Sequence, residues 1–595
     1  MTDPLERPTP IDHASAPPPP PPPYEWSGPP GFLSAPVPAA APPQRRSRWR
    51  WVVALLATVV VIVAVVGFAV FAQSSRSSPS IGPNFLPANT LVFADARLDL
   101  PGNQREKLIG FLSHFPGFAD QASFDLKVNE TFDKWVVDAS QGKFSYTGSV
   151  KPWFSGQVAV GLLEMPAPSS TVQSTPRGVI GFGVKDRARL DATIASVRAL
   201  AGSGSGATFS DEDYNGTTLV TVTTGSNGTW TYTVTDTVFL IATDPSDLKR
   251  SIDLLAAPAG SLAKDASFSQ GVAQLPADRL GTMYLGPSAF AALAQTQASM
   301  PAVPCANTSA FANYSAVGAL VAQGDSVSLE FRVKSGSPAA RLSGTDDLAA
   351  RMPADTQAYL VVPGIGKTAH DLISCLKPQL TAAVSATQVQ QIETTLGSKL
   401  EDYLSFLGDV AVGGSYDGTK VHAGIVATVT DESVATSRVE KLLTLVRLGA
   451  SAGGLPITVT DKKVGDITVT TIDFGKLPGL PVTVPVDTSL SVAVGGGLFY
   501  LGTGDFATAA VARQKADSLA GTARYASALS AAGSGSGAAL YLDVAAIKAD
   551  IEAAKQVDSN YTTNIKPYLD PLDRVVVVSS PTDDGTSVRL QLFVK

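Results

Sequence analysis

Charge is scarce in this chain. Of its 595 residues only 16% are Asp, Glu, Lys or Arg, and the formal net charge is −7. A nucleic-acid binder needs a basic face to displace counterions from phosphates, and this composition offers none. Histidine is scarcer still. His13, His114, His370 and His422 are the full set, with no two spaced three or four residues apart, so a paired set of zinc ligands on one helix is excluded. There is no G-x-S-x-G, hence no esterase nucleophile turn. Cysteine occurs twice, at Cys305 and Cys375, too few for a disulfide framework.

Against this background one segment stands apart. Trp51 to Ala72 is 22 residues without a charge. At ~1.5 Å per helical residue it covers about 33 Å, enough for the ~30 Å hydrocarbon core of a bilayer. Arg45, Arg46, Arg48 and Arg50 precede it and only Arg76 follows closely. The positive-inside bias then keeps residues 1–50 in the cytoplasm and exports the rest. A cleaved signal peptide is the alternative, but its apolar core is usually ~7–15 residues, shorter than this one. The expectation is a cell-membrane protein with a cytoplasmic amino terminus and an extracytoplasmic bulk. Outside the reducing cytosol Cys305 and Cys375 become a disulfide candidate.

Residues 1–50 are Pro-rich, with Pro17 to Pro23 consecutive and Tyr24 closing a PPPY string that resembles a WW-domain ligand. A low-complexity cytoplasmic spacer is the plainer reading, since proline fixes φ and removes donors. The tail therefore reads as disordered, with a possible partner of its own. Residues 73–83 form a linker to the folded body.

That body is written twice. LPANTLVFADA from Leu86 is answered by MPADTQAYLVV from Met352, and WFSGQVAVG from Trp153 by FLGDVAVGG from Phe406. Gly178 to Gly202 is answered by Ala423 to Val446, VFLIATDPSD by LFYLGTGDFA, MYLGPSAFAALA by LYLDVAAIKADI, and Gly324 to Lys334 by Gly585 to Lys595. Six matches in one order imply a first unit at 84–334, a linker at 335–346 and a second unit at 347–595. Within a unit, periods alternate. VIGFGVK is a strand; Asp186 caps a helix carrying Leu190, Ile194, Val197 and Leu200 at helical spacing; TTLVTVTT and TWTYTVT form β-branched hairpin strands; Asp244-Pro245 opens another helix. The fold class is α+β: two tandem similar units of mainly antiparallel sheet with packed helices, behind one transmembrane helix.

The same order of an LPxxT strand, a helix ending in FLSHFPGF and a W-x-x-G-x-V-A-V-G strand resembles the bacterial family labelled domain of unknown function 3352, through Leu86, Pro87, Phe115, Pro116, Trp153 and Gly156. The resemblance spans about residues 82–595. It implies a membrane-anchored exported protein and brings no activity or catalytic residue with it.

Several motifs imitate sites. Gly366, Lys367 and Thr368 end like a phosphate loop, but the leading glycine position holds Val361, so the stretch reads as a strand-to-helix turn with Thr368 capping. Asp211, Asp213 and Asn215 open like a calcium loop, yet the twelfth position is Val222 and Asn215-Gly216 signals a hairpin; they remain a weak calcium candidate. The GSGSGA stretches at Gly202 and Gly533 lack the strand-to-helix context of a dinucleotide loop. Ser246 and Lys249 form S-x-x-K without companion motifs. No cofactor is called for. The expectation is a non-enzymatic module of the cell envelope that binds a lipid, glycan or protein in a cleft between the units. The alternative is an exported hydrolase with an acid-based site in that cleft.

Overall fold

The computed structural model describes residues 80–595, apart from 98–99, 101, 119–120, 141, 166–175, 205–206, 225–227, 292–313, 336–344, 454–456, 476–486, 534–536 and 554–557. The apolar run Trp51–Ala72 and the Pro-rich tail therefore lie outside the described residues. Among those described, no helix is long and apolar enough to cross a membrane.

The first half runs through β1 (Val92–Arg97), β2 (Phe154–Glu164), β3 (Arg177–Val184), β4 (Thr208–Tyr214), β5 (Thr217–Thr223), β6 (Thr229–Val234), β7 (Val238–Ala242), β8 (Gly281–Leu285), β9 (Ser315–Ala322) and β10 (Ser326–Lys334). The second runs through β11 (Ala358–Val362), β12 (Leu407–Tyr416), β13 (Val421–Val429), β14 (Thr458–Val464), β15 (Ile467–Asp473), β16 (Ser489–Gly495), β17 (Leu498–Thr503), β18 (Leu540–Leu542), β19 (Leu572–Thr582) and β20 (Gly585–Val594). Every described pairing is antiparallel.

Those pairings give one unbroken order. From β4 it runs β5, β6, β7, β3, β2, β1, β8, β9, β10. It then passes to β20 and continues β19, β18, β11, β12, β13, β17, β16, β15, β14. Read from either end, the connectivity is the same. The two halves meet through a hydrogen-bonded ladder in which Ser326 faces Phe593 and Lys334 faces Gly585. At its centre Glu330 stands opposite Arg589 and pairs with it at 3.2 Å. The strands also correct the alignment of Gly324–Lys334 with Gly585–Lys595. The β9–β10 turn lies at Gly324–Asp325 and the β19–β20 turn at Asp583–Asp584, so the match slides by two residues. A slip of two keeps every side chain on its own face, which is why the pattern was still readable.

Helices cover the sheet from two sides. On the back, α5 (Pro245–Ala256) and α6 (Ala266–Ala273) pack Leu248, Ile252 and Phe268 onto Val179, Leu240 and Val317. In the second half α11 (Phe506–Ala512) and α12 (Ala523–Ala531) do the same with Phe506 and Tyr525 over Val426 and Val576. Phe268 meets Tyr284 edge-on at 5.4 Å and Tyr525 meets Tyr541 edge-on at 5.3 Å, so the two back cores are built around matching ring pairs. The short α1 (Gly82–Phe85) closes the first of them with Phe85.

The front is less regular. In the first half α2 (Gln104–Leu112) and α3 (Gln121–Ser140) set Leu108, Phe124 and Val128 over Phe154, Val158 and Val184. Phe111 and Phe115 from FLSHFPGF reach the seam, where they join Val327 of β10 and Leu592 and Val594 of β20. α4 (Arg187–Gly204), capped by Asp186 at 3.0 Å, lies over β4–β7. In the second half α7 (Thr345–Ala349) precedes β11, α8 (Ile365–Val384) and α9 (Ala386–Leu396) follow it, α10 (Glu432–Gly453) covers β15–β17, and α13 (Val544–Ala553) follows β18.

Candidate functional site: an open aliphatic face on the second half

Strand alternation sends Ala358, Leu360 and Val362 of β11 to the front and Tyr359 and Val361 to the back core. Register then fixes what stands beside Leu360. Val412 lies on one side with Ile425 beyond it; Leu540, Val577, Leu590, Leu329 and Leu320 follow on the other. A row of directly opposed aliphatic side chains thus crosses the sheet and the seam. At ~4.8 Å between strands, Val412 to Leu329 spans about 24 Å.

The middle of this row is not covered. Leu360 is 45% exposed, Val412 39% and Leu590 37%, while Leu540, Val577 and Leu329 are half-buried. The flanking front-face positions on β11, β12, β18, β19 and β20 include Ala358, Gly414, Leu542, Val575 and Val588, with no charged residue among them. α13, which follows β18 and packs on β19, buries none of its residues fully. α8 packs on β12 rather than on the strands between. The first half treats its front differently: Trp153, Phe154, Phe182 and Phe239 interlock there beneath α2 and α3. One front face is plugged with aromatic rings; the other is an aliphatic trough open to solvent.

Three of the imitated motifs have local partners; the GSGSGA stretches lie partly outside the described residues. Gly364, in left-handed conformation at φ 55°, caps α8, and the Thr368 hydroxyl instead bonds back to the Gly364 carbonyl at 3.3 Å. The expected capping by Thr368 is therefore corrected: only glycine reaches that backbone conformation cheaply, so the cap falls four residues earlier. Gly366 is required because a Cβ there would sit 2.3 Å from the Leu407 carbonyl oxygen. Lys367 is spent on Asp371 one turn on, at 2.6 Å.

Asp211, Asp213 and Asn215 lie on β4 and its turn but do not converge. Asp211 pairs with Arg198 at 2.6 Å, Asp213 accepts from the Gly216 amide at 3.3 Å, and Asn215 donates to Asp253 at 3.1 Å. Among the described residues no group of acidic, His or Cys side chains is arranged to hold a metal. Ser246 donates to Asp244 at 2.6 Å and Lys249 pairs with Glu212 at 2.5 Å, so that motif is a helix start.

His370 lies 3.1 Å from Asp402 and His422 2.9 Å from Asp417, both pairs on the surface, and His114 is exposed elsewhere. The Asp417 carboxyl is held well below its usual range by His422, then by Thr419 and the Lys420 amide, which marks it as a turn cap. Cys375, on α8, is disulfide-bonded. Cys305 lies outside the described residues.

One buried titratable group lies outside every sequence motif. Asp95 on β1 is 8% exposed; its Oδ1 accepts from the Thr282 amide at 2.5 Å and its Oδ2 has no partner. Burial pushes this carboxyl up, with Ser80, Thr282 and Arg279 only partly opposing. A single Asp in VFADAR carries no sequence signal of burial beyond its alternation with Phe93.

The profile of the family described as Protein of unknown function (DUF3352) matches residues 52–595. No curated protein matches this chain. Among solved structures, crystal forms IV, I and III of TP0453 are similar at 8%, 9% and 8% identity with TM-scores of 0.22, 0.22 and 0.23. They cover 43%, 44% and 47% of this chain and 81%, 82% and 87% of their own. A likeness of that size carries no argument here.

Proposed function

This chain belongs to the family described as Protein of unknown function (DUF3352), and from that premise we propose that it is a single-pass, membrane-anchored, extracytoplasmic binding module for an envelope lipid. Trp51–Ala72 is the anchor, residues 1–50 the cytoplasmic tail, and residues 84–334 and 347–595 two copies of one α+β unit joined edge to edge. The repeated strand order supports the duplication. The observation that carries the lipid reading is the uncharged trough through Val412, Leu360 and Leu590.

An exposed apolar face this continuous marks a contact surface, because Leu360 and Leu590, 45% and 37% exposed, each forfeit somewhat under half of the ~1.5–3 kcal/mol that full burial contributes. An extended acyl chain laid across the strands recovers that burial without needing a hydrogen bond. A glycan would need polar groups that the trough lacks. The duplication supplies the logic: one copy retains its aromatic plug and the other leaves the same face free. The hydrolase alternative is less favoured, since the three described histidines are scattered and exposed.

Full chain extracted from its own membranes in mild detergent should carry lipid detectable by native mass spectrometry. Leu360→Lys with Val412→Glu, an opposed pair of unlike charge, should abolish that lipid, and with it displacement of a fluorescent fatty acid, while lowering the urea midpoint only slightly. Equal lipid on wild type and the double variant would sink the proposal.

A further inference from the structure

A second site stands on the back of the sheet, apart from the trough. Between α6 and the end of the seam there is a cavity of about 40 Å3. A water needs about 10–15 Å3 of such space, so the room suits a few waters or one small ion. Register builds its floor: Ser315 faces Lys334 and Val317 faces Arg332 across the β9–β10 ladder. Ser315 is 5% exposed, and among the described residues neither its hydroxyl nor the half-buried Arg332 guanidinium has a hydrogen-bond or ion-pair partner. Gln270 of α6 and Gln274 just past its end bring amides, and Thr582 at the end of β19 a hydroxyl. One carboxylate, Asp584, is present, and Lys334 already answers it at 3.8 Å. The arginine is left over.

The matching corner of the second half shows what such an arrangement needs. There α12 lies over β19 as α6 lies over β9, anchored by the corresponding ring pair. Arg524 and Arg574 converge, and the chain supplies its own counter-charge. Asp573 lies 2.8 Å from Arg524 and pairs with Arg574 too. Arg574 also bonds Ser527 of α12 at 3.2 Å and lies over the Phe593 ring at 4.7 Å. In the first half the arginine and the hydroxyls are present, and the one carboxylate there, Asp584, pairs with Lys334 and not with Arg332.

We propose that this cavity binds a small tetrahedral oxyanion of the phosphate class. The guanidinium would present its planar fork to two anion oxygens, Ser315 would donate from the floor, and the Gln270 and Gln274 amides would close the α6 side. Because anion and lipid sites lie on opposite faces, this inference stands independently of the lipid proposal.

The full chain in detergent is titrated with inorganic phosphate, sodium chloride holding the ionic strength constant, and followed by calorimetry and by 31P line broadening. Saturable binding is expected. Arg332→Gln should weaken it about tenfold or more, the scale of one charged hydrogen bond, with no change in urea midpoint. Ser315→Val, which fills the floor, should weaken it likewise and serves if the arginine variant fails to fold. Vesicles bearing phosphatidate should bind wild type and Arg332→Gln equally, since the esterified phosphate does not fit the cavity. No saturable phosphate binding by wild type, binding that both variants leave within twofold, or vesicle binding that alone depends on Arg332 would each overturn the proposal.

Discussion

Asp95 is the residue whose chemistry is most at odds with its surroundings. Its folded pKa is raised, chiefly by burial, above the ordinary value of 3.8. The folded state then holds the proton more tightly than the unfolded chain. Below 3.8 the group costs nothing; as pH rises through the folded value the cost of a buried carboxylate appears, and above that it is constant. Asp95→Asn keeps an oxygen for the Thr282 amide and removes the charge. Its stability advantage over wild type should be largest at neutral pH and should vanish as unfolding is measured toward pH 4. An advantage that grows on acidification would show the carboxyl to be held below, not above, its ordinary value. The corresponding position in the second half is Val361, buried in the core without any such demand.

Among elements, α2 does the most for its length, because its end binds the halves to each other. Phe111 is 6% exposed against Val327 and Val594, so it touches a strand of each half. Phe111→Ala should cost about 3 kcal/mol, as large-to-small changes in a packed core do, and should lower a single cooperative urea transition. Leu126→Ala, at 58% exposure on α3, should change stability by less than about 0.5 kcal/mol. Two separated transitions in the Phe111 variant would show that the halves unfold independently. The FLSHFPGF string was legible as a helix end and as a family feature, but its partners are not: Val327 and Val594 lie more than two hundred residues on, and only the seam brings them to Phe111. The trough is not legible in the sequence for a like reason. Leu360, Val412, Leu540 and Leu590 belong to four strands, each read singly as an ordinary alternating segment.

Cys375 is disulfide-bonded, and the chain has one other cysteine, Cys305; we propose that these two are joined, tying the first half to α8 of the second. Proteolysis between residues 335 and 345 should then yield fragments that stay together on denaturing gels until reductant is added. Separation without reductant would refute the link. A periplasm-active reporter fused after Lys595 should be active and a cytosol-only reporter silent; the opposite pattern would overturn the proposed topology.

Composition and periodicity were enough to establish the α+β class, the antiparallel hairpins and the caps at Asp186 and Asp244. These depend on neighbours within a few residues, or on pattern recurring along the chain. Which edge of one half meets which edge of the other, which helix covers which strand, and which front face stays bare depend on contacts between residues hundreds of positions apart. The two halves carry nearly the same local pattern, yet α2 and α3 close one face while α8 and α13 leave the other open. Local sequence sets what an element is; only packing decides what it leaves uncovered.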